Sequence, residues 1–219
     1  MDRETVLTSR ILIVDDQDAN ILLLERVLMR AGFRNYQALT DSRQVLEQFR
    51  VFQPDLILLD LMMPKLDGYA VMKQLSGWVA DDIYIPILVI TADASRAAKQ
   101  KALSLGAKDF LTKPIDTTEA TLRIFNLLET RLLYRQIQSS HELLIEHALE
   151  SRACVLAARE KMERATAPGG ISTEALLQLR PALERAAAAV ENLVRMADAN
   201  QASIRPPDRA MGVEHAPAI

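Results

Sequence analysis

Asp55-Leu56-Ile57-Leu58-Leu59-Asp60-Leu61-Met62-Met63-Pro64-Lys65-Leu66-Asp67-Gly68 is the stretch on which the fold turns. Four consecutive large apolar residues, Leu56 to Leu59, predict a strand buried on both faces. A carboxylate at the end of such a strand is pushed out of the core, into the loop at the strand's carboxyl end. In an open parallel sheet that edge is where ligands bind. Pro64 and Asp67-Gly68 then turn the chain.

Working outward, the pattern repeats. Ile11-Leu12-Ile13-Val14 is a second buried-strand run, ending in Asp15-Asp16. Asp18 or a neighbour can cap a helix with Ile21, Leu22, Leu24, Val27 and Leu28 as its apolar stripe, closed by Gly32. A weaker strand follows at Tyr36 to Leu39. Asp41 or Ser42 starts a helix that turns Val45, Leu46, Phe49 and Phe52 inward, and Pro54 stops it. After the Asp60 strand come a short helix at about Tyr69 to Leu75 and a polar loop, Ser76 to Tyr84, carrying Trp78. Ile85 to Ile90 is a fourth strand ending in Thr91. Ala94 to Leu105 is helical, and Asp109 to Thr112 is a fifth strand followed by Lys113-Pro114. Strands alternating with helices at roughly 25-residue spacing predict βα units and one parallel sheet. Right-handed crossovers place helices on both faces.

The polar ends of four strands therefore share one edge: Asp15-Asp16, Asp60, Thr91 and Lys113. Carboxylates held close repel unless a cation shares them. Oxygen ligands with an open position suit Mg²⁺, which keeps waters and accepts phosphate oxygens. Lys113 offers a positive charge and Thr91 a hydroxyl to a phosphoryl group. A carboxylate in such a site can attack phosphorus in line and form an aspartyl phosphate.

These residues resemble the receiver domain of two-component response regulators. Asp15-Asp16, Asp60-Leu61-Met62-Met63-Pro64 with Asp67-Gly68, Thr91-Ala92 and Lys113-Pro114 occur in the family's order and spacing, over about residues 9 to 120. The resemblance implies a flavodoxin-like fold with Asp60 as phosphoacceptor. It implies Mg²⁺ held by Asp15, Asp16, Asp60 and the backbone carbonyl of Met62. Lys113 would pair with the phosphoryl group, and Thr91 would swing to bond it while Phe110 turns inward. A cis Lys113-Pro114 bond is also implied, and Met62 and Asp93 fall at positions that tune dephosphorylation. The implied partner is a sensor histidine kinase, and the chain's own chemistry is limited to its phosphorylation and dephosphorylation.

Beyond about Thr118 the helical pattern does not stop. Leu122, Phe125, Leu128 and Leu132 continue it to about Met162, predicting a helix of about forty residues or more, about 60 Å long. A helix of that length needs a partner, and its counterpart in a homodimer is the expected one. A heptad passes through Ile137, His141, Leu144, Ala148, Ser151, Val155, Ala158 and Met162. Pro168-Gly169-Gly170 is a turn, and Ser172 or Thr173 caps a second helix. Its repeat is Leu176, Leu179, Leu183, Ala186, Val190, Leu193 and Ala197, with a kink expected at Pro181. The expected divisions are a receiver domain at 1–120, a long coiled-coil helix at 121–167, a second helix at 168–200 and a disordered tail at 201–219.

Residues 126–136 resemble the linker of regulators carrying an HD-GYP cyclic-di-nucleotide phosphodiesterase, whose own motifs are absent. A degenerate relative or fragment of such a protein is one alternative. Another is a phosphorelay intermediate, since Ser140-His141-Glu142-Leu143-Leu144 loosely resembles the phosphoryl-accepting helix of sensor kinases. The leading expectation is a receiver phosphorylated on Asp60 that switches dimerisation, or binding of a downstream protein, through a helical output region.

Composition narrows the classes. The chain has 219 residues, 49% of them apolar, which suffices for a core with an extension. A net charge of −3 without a basic stripe argues against nucleic acid. One cysteine, Cys154, excludes an intramolecular disulfide and is expected to be a packing residue. Met1 to Ser9 lacks a signal-peptide core and no run is long enough to span a bilayer, so a cytoplasmic protein is expected.

Overall fold

The computed structural model describes residues 3–78, 84–93, 95–165 and 173–204. The Pro168-Gly169-Gly170 turn, Ser172, Ala94 and the tail beyond Ile204 lie outside these residues. The five strands are β1 (Ile11–Val14), β2 (Tyr36–Leu39), β3 (Leu56–Asp60), β4 (Ile87–Thr91) and β5 (Asp109–Thr112). They form one parallel sheet in the order β2-β1-β3-β4-β5. The winding direction reverses between β1 and β3, and such a switch point opens a crevice at the carboxyl ends of the two strands. Asp15 follows β1 and Asp60 ends β3, so both acids stand at that crevice.

The α-helices among the described residues are α1 (Arg3–Leu7), α2 (Asp18–Ala31), α3 (Val45–Phe52), α4 (Gly68–Ser76), α5 (Arg96–Ser104), α6 (Thr117–Ala165) and α7 (Thr173–Ile204). Successive strand residues face opposite sides, and the core divides accordingly. Ile11, Ile13, Leu56, Leu58 and Ile90 pack with Leu24 and Leu28 of α2 and Ile124 and Leu128 of α6. Leu12, Val14, Ile57, Leu59 and Val89 pack with Val45 of α3, Val71 and Met72 of α4 and Ala102 of α5. Residues Leu56 to Leu59 are buried throughout, each worth about 1.5–3 kcal/mol. This five-stranded, doubly wound sheet with a long helical continuation is the architecture predicted from the strand pattern.

Local details differ from expectation. Gln17, the neighbour of Asp18, is the N-cap of α2, and it makes no side-chain cap bond. Leu22 is exposed, because only the Ile21-Leu24-Val27-Leu28 stripe reaches the sheet. Asp41 accepts a bond from the Arg43 N–H and caps a short 3-10 turn at Ser42–Gln44, after which α3 begins. α1 was not foreseen; it buries Val6 against the α2 side of the core.

The chain divides into two compact units, Met1–Gln136 and Ile137–Ile219. In the second, the centre of the seam between α6 and α7 is built from small residues, with Cys154 and Ala158 of α6 against Ala182 and Ala186 of α7. Along α6 the covered side chains are Leu144, His147, Ser151, Cys154 and Ala158; along α7 they are Leu179, Ala182, Ala186, Ala189, Leu193 and Met196. Both sets repeat every three and four residues, as a helix-pair seam does. Ser151 Oγ donates to the Ala189 carbonyl at 2.9 Å. Of the predicted heptads, Leu144, Ser151, Ala158, Leu179, Ala186 and Leu193 sit on the seam. Ile137, His141, Ala148, Val155, Met162, Leu183 and Val190 are exposed, and the side chains of Leu176 and Ala197 lie outside the described residues. Alanines let two backbones approach closely, and the larger apolar residues are displaced to the flanks. Pro181 lies inside α7, which is not divided there.

Candidate functional site

Asp60 ends β3 because four core leucines and isoleucines precede it, and it is 2% exposed. Asp15, 1% exposed, stands beside it at the end of β1. Lys113 bridges the two, its Nζ donating to Asp15 Oδ2 at 2.9 Å and Asp60 Oδ2 at 3.0 Å. Burial alone would lower the Lys113 pKa; the bonds to Asp15 and Asp60, with their charges, outweigh it, and the net direction is upward. The remaining oxygens are oriented by local donors. Asp15 Oδ1 accepts from the Gln17 N–H and from Asn20 Nδ2, both at 2.9 Å. Asp60 Oδ1 accepts from the Met62 N–H at 3.3 Å.

Asp16 completes an acidic trio. One oxygen each from Asp15, Asp16 and Asp60 lies within 4.8 Å of the others. Asp16 Oδ1 is buried and has no hydrogen-bond partner. A buried, unpartnered carboxylate oxygen beside two further carboxylates is costly unless a cation shares it. The donor set is all oxygen and three-fold, which fits Mg²⁺ with waters completing its shell. Such an ion, when bound, would neutralise phosphoryl oxygens and draw a phosphoryl donor to this edge.

Thr91 ends β4 one residue beyond Ile90, the register partner of Asp60. It is buried, and its Oγ1 accepts from the Asp93 N–H at 3.1 Å. Phe110 lies opposite Val89 on β5, half-buried against the α3–α5 side of the core, with Lys99 Nζ 4.1 Å above its ring. Lys113-Pro114 is cis. Met62 itself is exposed. His141 lies on an exposed position of α6 in the second unit.

Two contributors were not singled out in the sequence, and a third residue does more than the turn read there. Gln17 and Asn20 orient Asp15; a polar residue one turn into α2, beside Ile21, was the available signal for Asn20. Gly68 is the third. Its N–H donates to the Leu61 carbonyl at 3.1 Å, and a Cβ placed on it would lie 2.9 Å from Leu61 Cα and overlap the Asp60 carbonyl oxygen. Only glycine lets α4 start this close to the backbone of Asp60.

The comparisons with known proteins agree with this geometry. The family model described as the response regulator receiver domain matches residues 11–125. The alkaline phosphatase synthesis transcriptional regulatory protein PhoP of Bacillus subtilis is 38% identical over 122 residues, 56% of this chain and 49% of that protein. The response regulator PleD of Caulobacter vibrioides is 37% identical over 135 residues, 60% of this chain and 29% of that protein. The chain thus spans half or less of the length of these relatives. The solved receiver domain of the Francisella response regulator 1452 superposes with a TM-score of 0.52 at 26% identity, covering 56% of this chain and 98% of that one. No described helix is long and apolar enough to cross a membrane. With more than half of its residues matched, and the acidic edge and sheet order in place, the chain belongs to the response regulator receiver family.

Proposed function

We propose that this protein is a phosphorylation switch in which Asp60 accepts a phosphoryl group from a histidine kinase partner. The observation that carries the reading is the trio Asp15, Asp16 and Asp60 with its orphaned Asp16 oxygen, bridged by Lys113. An Asp60 oxygen attacks phosphorus as the bond from phosphorus to the donor's nitrogen breaks, and the donor leaves with the electron pair. Asp15 and Asp16, with Asp60 and the Met62 carbonyl, would hold Mg²⁺, which would neutralise the phosphoryl oxygens. Lys113 transfers its contact from Asp60 to a phosphoryl oxygen, and Thr91 leaves the Asp93 N–H to donate to another. Phe110 follows into the space beside Thr91.

The output is assigned to α6 and α7. Their seam is narrow, and Val155, Leu156, Met162, Leu183, Val190 and Val194 are left exposed around it. Apolar side chains in that number on one hairpin favour pairing with a second copy or with a downstream protein. Phosphorylation would act by shifting that pairing equilibrium. On this reading residues 1–120 form the receiver, and the helices that follow carry its output.

The test is labelling by acetyl phosphate with Mg²⁺. Wild type should gain phosphate that alkali releases, as it does an acyl phosphate, and Asp60→Asn should gain none. Undiminished labelling of Asp60→Asn would overturn the assignment. Light scattering with and without beryllofluoride reads the second half; an unchanged monomer in both conditions removes the pairing output.

A further inference from the structure

The other edge of the sheet, before the first residues of β1 and β3, holds a cavity of about 400 Å³ in the first unit. Four arginines line it, Arg10, Arg50, Arg131 and Arg135, and among the described lining residues they face one acid, Asp55. That acid is buried and already engaged. Its Oδ2 accepts from the Arg10 backbone N–H and its Oδ1 from Arg135 Nη1, both at 3.0 Å. Arg131 has a side chain only 13% exposed, and its Nη1 donates to the Tyr84 carbonyl at 2.7 Å. Its Nε is buried without a hydrogen bond, 3.8 Å from Asp55 Oδ1. Burial pulls the Arg131 pKa below its ordinary value; Asp55 opposes this and Arg135 adds to it.

An architectural role accounts for part of this arrangement. Arg135 and Arg131 tie α6 to Asp55 and to the Tyr84 carbonyl. It does not account for the unfilled Arg131 Nε, nor for Arg10 and Arg50, which pair with no carboxylate among the described residues. Guanidinium groups in excess, with a free N–H among them, are the donors that a phosphate satisfies in bidentate fashion. A dianion matches the surplus better than a single carboxylate.

Apart from Gln53, the rest of the lining is apolar. Phe49, Ile85 and Trp78 contribute to it, and the Arg50 guanidinium lies 3.5 Å over the Trp78 ring. Trp78 is 57% exposed, which leaves ring surface for a second planar group. Stacking on tryptophan and arginine suits a nucleobase. The volume falls within the roughly 300–1,000 Å³ of small-molecule sites.

We infer that this cavity binds a small phosphorylated molecule with a planar ring, of the nucleoside monophosphate class. Its phosphate lies among Arg10, Arg131 and Arg135, and its ring beside Arg50 and Trp78. The inference does not rest on Asp60 chemistry, which occupies the opposite edge.

Trp78 is the only tryptophan, so its fluorescence reports the site. The full chain is titrated with AMP and GMP, with adenosine and inorganic phosphate as controls, and heats of binding are measured in parallel. Saturable quenching and heat with at least one nucleotide are expected, with both controls much weaker. Arg131→Gln should weaken binding at least tenfold, about the loss of one charge-assisted contact. Arg50→Gln, at an exposed position, should weaken it several-fold with an unchanged melting temperature, and it carries the test if Arg131→Gln does not fold. Absence of saturation with either nucleotide up to about 10 mM, beyond the range of specific affinity, would overturn the inference. So would equal binding by wild type and both variants, or inorganic phosphate binding as tightly as the nucleotides.

Discussion

Gly68→Ala is the substitution whose outcome most directly tests how the Asp60 site is held. A Cβ at this position would lie 2.9 Å from Leu61 Cα and 3.1 Å from Asp60 C, besides overlapping the Asp60 carbonyl oxygen. Carbon atoms settle at about 3.5 Å or more, so about 0.6 Å of movement is required at minimum. The neighbours are backbone and have no rotamer to change. Either α4 retreats or the end of β3 shifts. Over-packing of this kind costs about 1–3 kcal/mol. Alanine returns up to about 1 kcal/mol through helix propensity and a less flexible unfolded chain. A net loss of about 1–2 kcal/mol is expected, or about 3–8 °C in melting temperature for a domain of this size.

The effect on chemistry is larger. Misplacement by about 1 Å can slow a positioned reaction a hundredfold, so a ten- to hundredfold slower labelling by acetyl phosphate at saturating Mg²⁺ follows. Gly77→Ala, at the C-cap of the same helix, is the control. The nearest atom its Cβ would meet is the Gln74 carbonyl oxygen at 3.6 Å, an ordinary contact, and its stability should stay within about 0.5 kcal/mol of wild type. If Gly68→Ala melts and labels as wild type does, the close approach of α4 does not position Asp60, and the argument fails.

Lys113→Met should cost about 3 kcal/mol at pH 7 without Mg²⁺, because it leaves Asp15 and Asp60 buried and unpaired; urea unfolding measures it. The Lys113 pKa is raised in the folded state, so its contribution is complete below the ordinary lysine range and is lost as pH rises through the folded value. Wild type should therefore lose stability relative to Lys113→Met as pH rises above the ordinary lysine pKa of about 10.4, and parallel pH dependence would contradict the pairing. Mg²⁺ at a hundredfold its Kd should stabilise wild type by about 2.7 kcal/mol. Asp16→Asn should lose most of that shift while melting no lower than wild type in EDTA; a full Mg²⁺ response would remove Asp16 from the ligand set. Ala186→Leu, in the α6–α7 seam, should cost about 1–3 kcal/mol in the second unit by over-packing, read as lost helical circular dichroism at lower temperature. No change would mean that the seam does not hold the hairpin.

The strand ends were accessible from residue type alone. Leu56 to Leu59 can only be a two-sided strand, and a parallel sheet gathers strand ends on one edge, so Asp15, Asp60, Thr91 and Lys113 follow. Contacts set by loop geometry did not. The bonds of Gln17 and Asn20 to Asp15 depend on how the chain leaves β1, and the need for glycine at 68 depends on where α4 starts against β3. The α6–α7 seam shows a different failure. An alanine stripe and a leucine-valine stripe share one period in different phases. Hydrophobicity favours the larger residues, whereas close backbone approach selects the smaller ones. α1 escaped notice because a five-residue helix with one buried valine has no period to detect.

β3 has a consequence of its own. Asp55 precedes its first residue and Asp60 is its last, which puts the two carboxylates about 16 Å apart at about 3.3 Å per residue. Two unit charges at that separation interact by about 1 kcal/mol at an effective dielectric of about 20 and by about 0.3 kcal/mol through water, where salt with a screening length of about 8 Å weakens it further. A phosphoryl group on one end of the strand and an anion held at the other would sense each other only weakly through space. Any stronger crosstalk between them must be mechanical, carried by sliding of a strand whose four inner residues are clamped on both faces. Rigid clamping makes that route stiff, so a phosphoryl group and a bound anion would act as independent inputs able to be present together.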